Sequence, residues 1–423
     1  MNYSQTLNYI HSVSNFFCKP GLERISCLCK KLGNPQDKLK FIHVAGTNGK
    51  GSFCVMLSNI LTDAGYKTGL YTSPYILNFN ERIQIDGKKI PNDALCSITD
   101  KVRQYADEME DKPTEFELIT AIAFEYFAQS GCDIVVLECG LGGRFDATNV
   151  ITNTVLSVIT SVSLDHTAFL GKTVIEIAKE KAGIIKGGVP CLYCQQNDEI
   201  KALIEAVCKE QGSLLHTPTK TAENIRYSVD KTVFDCFDKK EIILSLLGCY
   251  QPTNAVNVLT AIEILNSMGY CISEQNIRNG LKTCVWHARF EVINNDPLII
   301  FDGGHNEEGV TAAVESAKQY LGNTKVNIIT GVMKDKDYNF IAKKIGEIAN
   351  KVFCITPDNP RSLSAKEFSD VFNGMGVEAY DSEGVLNALQ SVLNEDTPTL
   401  CLGSLYMYKE VTDSLNKIRH SVI

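Results

Sequence analysis

Long apolar runs are missing from this chain: none reaches the length that crosses a bilayer, which excludes a helical membrane span. An excess of positive charge is missing too. With 41 Lys and Arg against 50 Asp and Glu, the formal charge is −9, so there is no basic footprint for the phosphates of a nucleic acid. Residues 1–10 (MNYSQTLNYI) lack the charged-then-apolar order of a secretion signal, and the expectation is a cytoplasmic protein. Low-complexity segments and short-period repeats are absent as well, so neither a disordered tract nor a repeat architecture is expected.

Cysteine is plentiful, at sixteen, but the spacing of a metal site is not there. The one C-x-x-C, Cys191 to Cys194, falls on a predicted buried strand, and no second pair or His pair completes a zinc set. Many of the others occur singly in apolar stretches, where a free thiol acts as a small hydrophobe. The cysteines are read as reduced core residues.

What is present is alternation. The 423 residues exceed one ordinary domain, and short β-rich runs alternate with helical periods, the pattern of an α/β protein with mainly parallel sheets. Strands are predicted at 41–45, 67–71, 134–138, 154–161 and 189–193, with helices at 52–64, 117–129 and 173–181. Residues 224–246 alternate polar and apolar side chains and predict antiparallel pairing, followed by a helix over 253–267. A second, smaller doubly wound unit is predicted from strands at 298–302, 326–330, 352–356 and 399–402 and helices at 307–320 and 338–348. The polar cluster Asn294-Asn295-Asp296-Pro297 suits a hinge, which places the domains at 1–293 and 297–423.

The sharpest motif is Gly46-Thr47-Asn48-Gly49-Lys50-Gly51-Ser52, between a predicted strand and a predicted helix. Glycines let backbone N–H groups approach phosphate oxygens, the helix N-terminus adds a favourable field, and Lys50 adds a mobile charge. The spacing departs from G-x-x-x-x-G-K-[ST]: the first spacer is shorter, and Gly51 stands before the hydroxyl of Ser52. Such a loop predicts ATP binding and no particular reaction.

Together with a series of motifs further along the chain, the loop resembles that of the folylpolyglutamate synthase and dihydrofolate synthase family, relatives of the bacterial cell-wall Mur ligases. The resemblance rests on HVAGTNGKGS at 43–52, Thr72-Ser73-Pro74, NERI at 80–83 and ECGLGGRFDATNV at 138–150. It continues through Leu164-Asp165-His166-Thr167, EKAGIIK at 180–186, Arg289-Phe290-Glu291, DGGHN at 302–306, KDKD at 334–337 and Gly403-Ser404-Leu405-Tyr406. It implies a P-loop-containing Mur-ligase-like domain holding ATP and acceptor, and a smaller doubly wound α/β C-terminal domain that brings glutamate. The implied reaction phosphorylates the acceptor carboxylate and replaces phosphate with the amine of L-glutamate. The acceptor is tetrahydrofolate, whose polyglutamate chain grows, and also dihydropteroate, which becomes dihydrofolate.

The resemblance also assigns residues. Ser73, Glu138 and His166 would bind Mg²⁺, with two metal sites and K⁺ as a further candidate. Glu138 ends a predicted buried strand, where a carboxylate is costly unless paired or metal-bound. Read alone, Asp165-His166 could equally be a surface pair or helix cap. Lys181, by itself a solvated charge at a helix end, matches a lysine carbamylated by CO₂. Asn254 is assigned to adenine, although it could simply cap the following helix. Arg289 is assigned to phosphate, Asp302 to ribose, and His305 to the transferring phosphoryl group. Thr114, Phe116, Asp146 and Ala147 are assigned to the acceptor, and Ser404 to glutamate. Tyr75 stands where many members have His.

Two other readings compete. A cell-wall precursor ligase would carry a nucleotide-sugar domain ahead of the phosphate loop, which here begins at residue 46. A non-catalytic ATP-binding regulator would leave Glu138, His166, Lys181 and His305 unexplained. The expected partners are small molecules acting on a monomer.

Overall fold

The computed structural model describes residues 1–13, 20–195 and 197–421. They form two compact units, Met1–Thr221 with Asn254–Thr283, and Ala222–Thr253 with Cys284–Ile423. Among the described residues every cysteine is free, and no helix is long and apolar enough to cross a membrane.

The first unit is built on a sheet of eight strands: β1 (Phe41–Ala45), β2 (Thr68–Tyr71), β3 (Ile83–Ile85), β4 (Lys88–Lys89), β5 (Ile134–Glu138), β6 (Thr154–Ile159), β7 (Cys191–Tyr193) and β8 (Leu215–His216). Their order is β4-β3-β2-β5-β1-β6-β7-β8. Pairing is parallel from β2 through β8, and β3 and β4 add an antiparallel edge. Every residue of β1 and β5 is buried, as expected for strands covered on both faces by crossover helices. That is why both read as unbroken apolar runs. The helix Glu115–Ser130 is apolar nearly all round and packs in the same core as Phe41, Tyr71, Val135 and Leu137. A second cluster joins Ile159, Cys191 and Tyr193 to Ile177 and Ala178 of the helix Val174–Ala182 and Ile204 of the helix Asp198–Glu210.

The second unit holds two sheets. β9 (Glu223–Ser228), β10 (Lys231–Cys236) and β11 (Lys239–Leu244) pair antiparallel in the order β11-β10-β9, the pairing that the alternation over 224–246 predicts. The other strands are β12 (Glu291–Asn295), β13 (Leu298–Asp302), β14 (Val326–Thr330), β15 (Ala349–Cys354), β16 (Ala379–Asp381) and β17 (Thr399–Leu402). They run β12-β13-β17-β14-β15-β16, parallel except for β12.

The residues expected at the domain boundary lie in a tight turn. Residues 294–297 turn the hairpin between β12 and β13, with Asn295 paired to Leu298 and Asn294 Nδ2 donating to Pro297 O at 2.7 Å. The two compact units exchange chain at 221/222, 253/254 and 283/284. Asn, Asp and Pro serve a hairpin turn as well as a linker, so their clustering could not separate the two.

Candidate active site

β1 lies between β5 and β6, so the phosphate loop leaves the middle of the sheet at its carboxyl edge. The loop is strapped to the end of β6. Thr47 N donates to Ser161 O at 2.7 Å, Asn48 N to Ser161 Oγ at 2.9 Å, and Thr160 Oγ1 to Asn48 O at 2.8 Å. The amides of Thr47 and Asn48 therefore shape the loop, and the open N-terminus of the helix Lys50–Asp63 faces outward with Lys50 and Gly51. Gly46 is required by space: a Cβ there would stand 1.9 Å from Thr160 Oγ1. Gly49 is required by conformation, at φ +83°, and its Cβ position lies 3.0 Å from Asn254 Oδ1. Asn254 thus sits against the loop. It lies inside the helix Gln251–Ser267, so it does not precede that helix as a cap. Lys50 Nζ donates to Gly46 O at 2.9 Å and Thr47 O at 3.1 Å, carbonyls that an anion's oxygens would replace. Ser52 is buried in the first helical turn.

Glu138 ends β5, in register with Val44 of β1, and is 4% exposed; its Oε2 accepts from Ser73 N at 3.1 Å. Lys181 is 3% exposed, which overturns the reading of a solvated helix-end charge. Burial, and then the charge of Lys50, push its ammonium down to about 7, so a large share is neutral amine near neutral pH. His166 takes a left-handed φ of 49° ahead of the short helix Thr167–Leu170 and makes no side-chain cap bond. Its Nε2 lies 3.9 Å from Asp165 Oδ2, and its side chain is half exposed. The described residues contain no group of three His, Cys, Asp or Glu placed to hold a metal. The donors at Glu138 and Ser73 are nevertheless hard oxygens, the type that Mg²⁺ takes one or two at a time together with substrate phosphates. The residues fit that ion.

The loop after β5 gathers the acceptor candidates. Asp146 is buried, and its Oδ1 accepts from Thr148 N at 3.0 Å and from the Thr148 hydroxyl, while Oδ2 accepts from Leu141 N at 2.8 Å. Burial raises its pKa and these donors pull it back. Phe116 lies against the same loop: a Cβ on Gly140 would be 2.6 Å from Phe116 Cζ, and the Tyr71 ring is 6.0 Å away. Ala147 is buried beside Asp146 and opens the 3₁₀ turn Ala147–Val150. Thr114 is the N-cap of the helix Glu115–Ser130 in a capping box, with Thr114 N donating to Glu117 Oε2 at 2.7 Å. Sequence reasoning missed the support behind Asp146. His43 Nε2 lies 2.8 Å from Thr148 Oγ1 and 3.0 Å from Cys139 Sγ, and burial drops His43 to about 3, so the ring is neutral. The apolar context of His43 was the available signal.

In the second unit, Asp302 ends β13 and is buried. Its Oδ2 accepts from Tyr250 OH at 2.8 Å and Phe290 N at 2.9 Å, and its Oδ1 from Gly304 N at 2.7 Å. Burial raises its pKa, opposed first by Arg289. Ala288 and Phe290 both have left-handed φ, 59° and 46°, a costly conformation for such side chains. Asp302 holds Phe290 N and Glu291 holds Ala288 N at 2.8 Å, so the strained turn that presents Arg289 is locked from both ends. Gly303 makes room for it, since a Cβ there would meet Leu405 Cδ2 at 2.1 Å and Arg289 Nη1 at 2.7 Å. His305 Nδ1 lies 2.9 Å from Gly303 O; a carbonyl only accepts, so Nδ1 carries the proton. The following helix, Glu307–Leu321, is capped by Asn306, so that task does not fall to His305. Ser404 is buried just after β17 and accepts from Tyr406 N at 3.2 Å.

Comparison with known proteins finds two family domains along the chain. The Mur ligase middle-domain model matches residues 44–265, and the Mur ligase glutamate-ligase-domain model matches residues 288–405. The dihydrofolate synthase/folylpolyglutamate synthase of Bacillus subtilis (strain 168) is 35% identical over 98% of this chain and 99% of its own length. A solved FPGS–AMPPCP–folate complex is 34% identical with a TM-score of 0.86, covering 98% of this chain and 100% of that one. FolC of E. coli, solved with DHPP and ADP, is 28% identical with a TM-score of 0.87, covering 99% of each chain. The phosphate loop on β1, the acidic end of β5 and this likeness along the whole length lead to one conclusion: the chain belongs to the folylpolyglutamate synthase/dihydrofolate synthase family of Mur-type ligases.

Proposed function

We infer that this chain is an ATP-dependent ligase that adds L-glutamate to tetrahydrofolate, extending its polyglutamate chain, and to dihydropteroate, forming dihydrofolate. One observation carries the reading. The phosphate loop after β1, Ser73 after β2, and Glu138 with the Asp146 loop after β5 meet at the carboxyl edge of adjoining strands, with Phe116 packed against that loop, in a chain matched end to end by relatives named for both activities. That match sets aside the cell-wall precursor ligase and the non-catalytic regulator.

Lys50 and the helix N-terminus behind it bind the ATP phosphates, with Asn254 on the adenine side. Phe116, Asp146, Ala147 and Thr114 orient the acceptor so that a carboxylate oxygen attacks the γ-phosphorus, releasing ADP and leaving an acyl phosphate. The glutamate amine then attacks the acyl carbon, phosphate departs and the nitrogen loses a proton. Arg289, held by Asp302, offers its guanidinium to phosphate, and His305 and Ser404 serve phosphoryl transfer and glutamate binding. Ser73, Glu138 and His166 would hold Mg²⁺, with a second ion and K⁺ as further proposals; the metal neutralises phosphate charge when bound. Lys181 is proposed as the carbamylated residue. Its burial supplies the neutral amine that attacks CO₂ and loses a proton to give a carbamate anion beside Lys50. A monomer acting in the cytoplasm completes the proposal.

ADP release tests it. The expected result is glutamate-dependent ADP formation with tetrahydrofolate and with dihydropteroate, and little with neither. Turnover stimulated only by a nucleotide-linked peptide precursor would overturn the reading.

A further inference from the structure

Arg82, in the NERI run, has a role that neither the fold nor the catalytic site accounts for. It ends the 3₁₀ turn Phe79–Arg82, and its carbonyl accepts from Thr72 N at 3.0 Å, next to the pair Tyr71–Ile83 that joins β2 to β3. Its guanidinium rests on two rings, 5.4 Å from the centroid of Tyr75 and 5.7 Å from that of Phe79. Among the described residues it has no carboxylate partner, and its Nε is buried without a hydrogen bond. The acid next to it in sequence is already committed. Glu81 accepts from the amides of Ile76, Leu77 and Asn78 and pairs with Lys89 Nζ at 2.9 Å, folding the loop that sets Tyr75 beneath the guanidinium.

The energetics of this arrangement are unbalanced. Cation–π contacts contribute only modestly. A buried donor left unsatisfied is costly, the more so when it belongs to a charged group. Two rings orient the guanidinium while its buried Nε finds no acceptor, a state suited to receiving an anion.

Topology narrows the choice of anion. The strand order β2-β5-β1 puts Glu138, at the end of β5, between the two neighbouring strand ends. The phosphate loop with Lys50 occupies the β1 side. Arg82 occupies the β2 side, where Tyr71 packs near Phe116 of the acceptor loop. The Tyr71 hydroxyl lies within electrostatic reach of Arg82, Asp146 and Glu138 alike. Phosphates are served by the loop on one side, so the cation on the other side faces the acceptor. Every acceptor of this ligase ends in a carboxylate.

We propose that Arg82 binds the carboxylate end of the acceptor, with its fork preset by Tyr75 and Phe79. The proposal rests on the reading of Phe116 and Asp146 as acceptor-binding residues. A planar fork matches a carboxylate with two parallel N–H···O bonds, which fixes orientation as well as charge. Tyr75 then acts as a ring that orients this arginine.

The test compares pteroic acid with its carboxamide, which differ only at that end, by calorimetric Kd with Mg²⁺ and a non-hydrolysable ATP analogue. Wild type is expected to prefer the acid by at least ~10-fold, the scale of losing one partner of a desolvated charge pair. Arg82→Gln is expected to bring the two Kd values within about twofold of each other by weakening the acid alone. Arg82→Lys, which keeps the charge and loses the fork, should retain part of the preference and stands in if the Gln variant does not fold. Equal binding of acid and amide by wild type overturns the proposal without any variant. So does an undiminished preference in Arg82→Gln, or a change confined to the KM for glutamate or ATP. Asp146→Asn separates the two claims. If it leaves both ligands bound as before, the acceptor reading itself fails and takes the proposal with it. If it weakens both while Arg82→Gln leaves the ratio unchanged, only the Arg82 proposal fails.

Discussion

Lys181 shows how a residue's surroundings reverse its expected chemistry. A lysine near the end of a helix is ordinarily solvated, and its sequence neighbours Glu180 and Ala182 do not suggest otherwise. The fold buries it near Lys50, and both effects disfavour the ammonium. The folded pKa, about 7, lies below the unfolded one, so between these values the unfolded chain holds more protons. Stability should therefore rise with pH from about 7 toward the unfolded lysine value of roughly 10.4. In CO₂-free buffer, the melting temperature of wild type should rise relative to that of Lys181→Met over that window. The same variant should lose most of its turnover while remaining folded. Parallel melting curves for the two proteins would contradict the burial argument, and unimpaired turnover would contradict the carbamate. His305 makes a complementary point: it stands just ahead of a helix, yet the cap of that helix is Asn306.

At the scale of elements, the strands that carry the site were the most legible parts of the chain. β5, β13, β14 and β17 have the predicted bounds, because strands buried on both faces must be short, apolar and bounded by turn residues. Helices at 23–31, 92–108, 365–374 and 407–421 went unpredicted; their polar faces dilute the apolar pattern, and only packing marks their buried stripes. The segment Thr114-Glu115-Phe116-Glu117 serves the fold as well as the proposed acceptor site. Thr114 and Glu117 form a capping box, and Glu117 also accepts from Arg24 Nε at 3.0 Å, so two of the four residues start a helix whereas Phe116 faces the acceptor loop. Thr114→Ala should cost about 1 kcal/mol of stability through the lost cap. Chemical denaturation and the acceptor KM together divide its roles. A stability loss with an unchanged KM makes Thr114 structural, and a raised KM keeps it in the pocket.

At the scale of the whole molecule, family and reaction were legible because many short motifs occur in one order along the chain. The grouping of residues 222–253 with the second compact unit was not, since it is decided by long-range contacts that no local composition records. The support behind Asp146 was equally hidden, since it depends on His43 brought in from a separate strand. The central claim is that the acceptor carboxylate itself attacks ATP and passes through an acyl phosphate. If so, one carboxylate oxygen must leave with the phosphate. The direct measurement uses dihydropteroate labelled in its carboxylate with a heavy oxygen isotope, incubated with ATP, Mg²⁺ and glutamate, with mass analysis of the inorganic phosphate released. The account predicts one labelled oxygen in each phosphate; phosphate carrying no label while dihydrofolate is formed would contradict it.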